Sequence, residues 1–188
     1  MGLYLNPDND AFRQDSAMQM FVDKSMIINE LNKLANTRNN FICVSRPRRF
    51  GKSIAGNMIS AYYSKGANSR EMFSSLKISK TESYEKYLNK LNVIKIDLFA
   101  EYTMALDKDS LMMDIQRKIN EELAQEFTDC NVVINSTLAA NLLKIYGKRK
   151  ELFVIIIDEY DVLIRLKANQ NMFADFLNFL SSMFKNST

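Results

Sequence analysis

The chain has 188 residues, 47% hydrophobic and 25% charged, the composition of an ordinary globular protein long enough for one sizeable core. Its 25 basic and 22 acidic residues are intermixed, and a formal charge of +3 gives no general reason to expect a nucleic-acid or membrane-binding surface. The absence of His and the wide separation of Cys43 and Cys130 argue against zinc chemistry and Ser-His catalysis.

Residues 1–40 read as a polar lead-in, with an Asn-Pro-Asp turn at Asn6–Asp8, followed by a first helix built on Ile27, Ile28, Leu31 and Leu34. The opening MGLYLNPDND has no basic segment followed by an apolar stretch, and no window reaches about 18 uninterrupted apolar residues. The expectation is a cytoplasmic protein in a reducing compartment, with no membrane partner. After a polar break at Asn36–Asn40, Phe41-Ile42-Cys43-Val44 predicts a short buried strand. The loop Ser45–Gly51 follows, and Ile54, Ala55, Met58, Ile59 and Tyr62 then recur at helical spacing.

Strand, loop, helix is the order in which a phosphate loop occurs. Arg46-Pro47-Arg48-Arg49-Phe50-Gly51-Lys52-Ser53 matches G-x-x-x-x-G-K-[ST] except at its first position, where Arg46 replaces Gly. Phosphate oxygens need several backbone N–H donors aimed at one spot, and a loop wrapped before a helix N-terminus supplies them with the positive end of the helix dipole. The candidate nucleotide-binding residues are Pro47, Arg48, Arg49, Phe50, Gly51, Lys52, Ser53 and Ile54. Gly51 permits close backbone approach, Lys52 places an ammonium among the terminal phosphates, and the Ser53 hydroxyl is a magnesium ligand. Pro47 fixes its own φ and biases Arg46 toward extended geometry, while Arg48 and Arg49 face either a ligand or solvent.

Residues 66–91 are polar and Ser-rich and predict short helices in an insertion before a second strand at Val93–Phe99. Asp97 at its end reads as a carboxylate capping a turn. Helical patterns at 108–127 and 137–147 lead to Leu152–Ile157, a run apolar enough to require cover on both faces. Asp158-Glu159 closes it, the hydrophobic-strand-plus-acid pattern called Walker B. Such a strand delivers its carboxylates at the C-terminal sheet edge. Asp158 would hold magnesium and Glu159 would act on the attacking water as general base, with Lys52 the second catalytic residue. Asp161 reads as a helix-start or turn residue. A last helix at about 171–184 carries Phe173, Phe176, Leu177 and Leu180 on one side.

Phe41–Ser53, Phe21-Val22-Asp23-Lys24-Ser25 and Ile155–Val162, with Tyr4–Asp8 and Ala61-Tyr62-Tyr63-Ser64, resemble the prokaryotic AAA-ATPase-like family over nearly the whole chain. In that family Arg is usual at the first loop position. The resemblance implies a P-loop NTPase of α/β class, with a mainly parallel sheet flanked by helices, binding and hydrolysing ATP with Mg2+ as a switch or motor. It makes residues 41–188 the ATPase core and sets Phe21–Lys24 where related ATPases approach adenine, although an amphipathic helix entry explains that segment equally well. Relatives carry a further restriction-endonuclease-like domain through which a protein or nucleic-acid target would be reached, and oligomers are common. A further sensor-bearing strand is expected between Phe41–Val44 and Leu152–Ile157, so the chain reads as C-terminally truncated. Two alternatives stay open: a non-catalytic nucleotide-binding or interaction module, and a nucleic-acid-binding protein using Arg46, Arg48 and Arg49.

Overall fold

The structure, a computed structural model, describes residues 2–35, 37, 38, 40–45, 47 and 50–184. These fall into two compact units, one running through Lys95 and including Phe153–Ile156, the other holding Ile96–Leu152 and the chain from Ile157 on.

In the first unit, α1 (Asp10–Ser16) occupies what the sequence suggests is lead-in, and Phe12 on it is fully buried. A single apolar residue in a polar stretch gives no periodicity to read, yet it supplies a ring that stacks on Phe73 at 5.1 Å between centroids. Then come α2 (Met26–Leu34), α3 (Lys52–Tyr63), α4 (Arg70–Ser74), a 3-10 turn at Lys77–Lys80 and α5 (Tyr84–Tyr87). Strand β1 (Asn92–Asp97) pairs in parallel with β2 (Phe153–Asp158), giving a small two-stranded sheet flanked by helices. The lead-in covers the other edge of β1: the Asn6 N–H donates to the Val93 carbonyl at 2.7 Å and the Lys95 N–H to the Tyr4 carbonyl at 3.0 Å.

Two expectations about strands are corrected. Phe41–Val44 forms no strand, and Phe41, Ile42 and Val44 are 50%, 47% and 41% exposed. An apolar run predicts burial, and with its side chains about half exposed this segment is not the covered strand that the run suggests. Likewise every residue of β2 is only half-buried, because a sheet of two strands cannot enclose both faces of either one. Val154 and Ile156 still pack on the first unit's core.

That core centres on Phe12, Ile28, Met58, Tyr62, Phe73 and Val93. Within it the Tyr63 hydroxyl donates to Asn32 Oδ1 at 2.6 Å, and the Tyr62 hydroxyl to the Tyr84 carbonyl at 2.8 Å. Burial pushes the Tyr62 phenol up to about 12, so it stays a neutral donor at any physiological pH. Replacing Tyr63 by Phe removes the donor and leaves Asn32 Oδ1 buried; a loss of about 1 to 3 kcal/mol is expected in urea unfolding, and an unchanged midpoint would count against the network.

The second unit contains α6 (Leu98–Met104), α7 (Leu111–Glu126), α8 (Leu138–Arg149), α9 (Val162–Arg165) and α10 (Gln170–Phe184). The last packs against α7, α8 and α9 and buries Met172, Phe176 and Phe179; of the expected face only Phe176 is buried, Phe173 and Leu180 being half-buried and Leu177 exposed. Asp97 is a cap, as its position suggests: its Oδ1 accepts the Ala100 N–H at 2.9 Å, so the predicted strand ends two residues early and Leu98 and Phe99 open α6. Among the described residues no helix is long and apolar enough to cross a membrane.

Candidate functional site

The phosphate-loop candidate lies in the first unit. Gly51 precedes α3 in the left-handed region, φ +71° and ψ 36°, where side chains other than Gly are strained. A Cβ added there would come within 3.2 Å of Lys24 Nζ, so close approach also favours Gly. The Ala55 N–H donates to the Gly51 carbonyl at 3.0 Å and closes the first turn. Helix geometry then leaves the N–H groups of Lys52, Ser53 and Ile54 without an i−4 carbonyl, pointing out along the axis. No acidic residue stands in this first turn to compete with an incoming anion. Lys52 Nζ lies 3.5 Å from the Pro47 carbonyl, curled back over its own loop, and Ser53 is exposed. Arg46, Arg48 and Arg49, expected to contribute to this site or to a partner, lie outside the described residues.

Beside the loop is a cavity of about 280 Å³, lined chiefly by Met18, Met20, Phe21, Val22, Ile54 and Met58, with Asp15 and Lys24 as the charged residues of its wall. The Asp-Lys-Ser triplet at 23–25 ties this wall together. Asp23 accepts the Ser25 N–H at 2.8 Å and the Lys77 N–H at 2.9 Å, and Ser25 Oγ accepts the Ile78 N–H at 3.1 Å. Lys24 Nζ donates to the Phe50 carbonyl at 2.6 Å. Burial works to raise the Asp23 pKa, but hydrogen bonds from Ser25 and Lys77 and the Lys77 charge hold it below the ordinary carboxylate value. A depressed folded pKa means that this contribution is complete at neutral pH and is lost as pH falls through the acid range. The sequence shows this triplet only as a helix entry or an adenine neighbour; its bonds reach residues about fifty positions away, which no local pattern reveals.

The acidic candidate lies in the second unit. Asp158 ends β2, and its Oδ1 accepts the Glu159 N–H at 2.9 Å. Glu159 has φ +52°, unusual for a residue with a side chain and the kind of backbone cost that functional turns carry. Its Oε2 accepts from Arg165 Nη2 at 2.6 Å, and Arg165 Nε lies 3.6 Å from Asp161 Oδ2. Asp161 is the residue that starts α9, as expected, though its side chain makes no cap hydrogen bond and faces Arg165 instead. Arg165 is the residue that sequence reading misses here. The i, i+4 spacing from Asp161 was the available signal.

Among the described residues no three His, Cys, Asp or Glu side chains gather as a metal cage. Magnesium keeps several waters and takes one or two protein oxygens together with substrate phosphates. Ser53 and Asp158 are donors of the right kind.

A left-handed Gly feeds a helix whose first turn is free of acids, a backbone arrangement in which first-turn N–H groups can meet an anion. The chain belongs to the AAA-ATPase-like family, described as predicted AAA-ATPases, whose model matches residues 10–187. Membership brings a nucleotide-binding, ATPase-like role in coarse outline. No curated protein matches the chain, and no solved structure does.

Proposed function

We propose that this chain is a P-loop domain that binds ATP with Mg2+, hydrolyses it, and acts as a nucleotide-dependent switch or motor. The observation that carries the reading is the left-handed Gly51 leading into the acid-free first turn of α3, with Lys52 and Ser53 next in sequence. Polyphosphate oxygens accept from the first-turn N–H groups, and the Lys52 ammonium neutralises charge on the terminal phosphates and on the transition state. The apolar cavity beside Phe21 and Met58 takes the adenine face, for which no charged partner is needed.

Ser53 and Asp158 are the oxygen donors that would serve Mg2+, which would supply neutralisation of phosphate charge. Glu159 accepts the proton of the attacking water as the oxygen–phosphorus bond forms and the bond to the departing ADP breaks. Arg165 holds one of the Glu159 oxygens, Oε2, at 2.6 Å. The same ion pair supports a second reading, a nucleotide-binding module without turnover, in which Glu159 stays engaged.

Calorimetric titration with MgATP, followed by phosphate release under saturation, separates the two. Binding with turnover supports the first reading, binding alone the second, and no binding removes both. Asp158→Ala is expected to weaken binding of MgATP while leaving magnesium-free ATP binding nearly unchanged; equal loss in both titrations would show that Asp158 does not serve the metal.

A further inference from the structure

We infer that Lys24 is a positioning residue of the phosphate loop, orienting the Gly51 N–H toward the bound phosphates from the opposite side of the Phe50–Gly51 peptide. This rests on the reading of the loop as a nucleotide site.

The argument begins with peptide geometry. In a planar trans peptide the carbonyl oxygen and the following N–H point in opposite directions. The Phe50 carbonyl and the Gly51 N–H belong to one such unit, so whatever holds the first aims the second. Lys24 Nζ holds the carbonyl at 2.6 Å. With a left-handed Gly next in the chain, this peptide has few other restraints, because Gly moves freely between regions of φ, ψ space. Phe50 gives little anchorage, its side chain being 59% exposed. An ammonium on the carbonyl also polarises the peptide and strengthens its N–H as a donor.

Lys24 can do this because its neighbours fix it. Asp23 and Ser25 are bonded to the backbone of Lys77 and Ile78, on the 3-10 turn, and Ser25 is fully buried. The backbone that carries this long side chain is therefore held in place on both sides. The strap joins the loop to the segment at 77–80, so movement of that segment would be felt as a change in Gly51 N–H direction. Lys24 lies behind the peptide and is not itself a phosphate contact, which distinguishes it from Lys52.

The test compares wild type, Lys24→Met and Lys24→Arg in MgATP calorimetry at several salt concentrations, with thermal melts in the absence of nucleotide. The expected result is an affinity lowered about tenfold or more in Lys24→Met, with an unchanged melt and an unchanged salt dependence. Lys24→Arg, which keeps a charged donor, should return to within about threefold of wild type. Equal affinity of Lys24→Met and wild type would overturn the inference while leaving the nucleotide site standing. A flattened salt dependence would mean that Lys24 touches phosphate directly, and a lowered melt with no rescue by Arg would reduce it to a packing role; either defeats the positioning assignment. A wild-type protein that binds no MgATP would remove the nucleotide reading first, and this inference with it.

Discussion

Lys52→Ala is expected to reduce MgATP affinity at least about 100-fold, equivalent to roughly 2.7 kcal/mol. A hydrogen bond to a charged group contributes about 1.5 to 3 kcal/mol net, and an ammonium set among terminal phosphates makes more than one. Nothing else described in the first turn of α3 carries a positive charge, and the turn has no acidic residue whose removal could compensate. In the free protein the Lys52 ammonium rests 3.5 Å from the Pro47 carbonyl. A thermal melt of the variant, read beside its nucleotide affinity, separates loss of the site from loss of the fold. Affinity within a few-fold of wild type would mean that the loop is an ordinary helix start.

The helix start after Gly51 was legible because its information is local. Gly51, Lys52 and Ser53 are adjacent, the left-handed turn needs a Gly, and the apolar spacing of Ile54, Met58 and Tyr62 announces the helix that follows. The cap at Asp97 and the helices α7, α8 and α10 could be read for the same reason. Phe41–Val44 could not, since an apolar run does not by itself say how much of it the rest of the chain covers. Nor could α1, whose single buried ring at Phe12 finds its partner at Phe73. At the candidate site the missing pieces were likewise long-range or conformational. Lys24 meets Phe50 across 26 positions, and Arg165 meets a Glu159 whose positive φ nothing in the local pattern announces.

Glu159→Gln is expected to keep MgATP binding and lower turnover at least about tenfold, since the amide preserves shape and loses the base; tenfold corresponds to about 1.4 kcal/mol of barrier. Arg165→Ala should act in the other direction and less strongly. Its pair with Glu159 is about one-third exposed on both sides, so solvent screening limits it to about 1 kcal/mol or less. If freeing the carboxylate is part of each turnover, removing Arg165 can raise the rate by no more than roughly fivefold. The loss in Glu159→Gln therefore outweighs any gain, and the double variant should turn over as slowly as Glu159→Gln alone, because an amide has no proton-accepting role to release. Single-turnover phosphate release at saturating MgATP reads all four proteins without interference from product exit. A double variant as fast as Arg165→Ala would show that Glu159 takes no part in the chemistry. Arg165→Ala slower than wild type, with intact binding and melt, would instead make Arg165 a support for the productive position of Glu159 and not a restraint upon it.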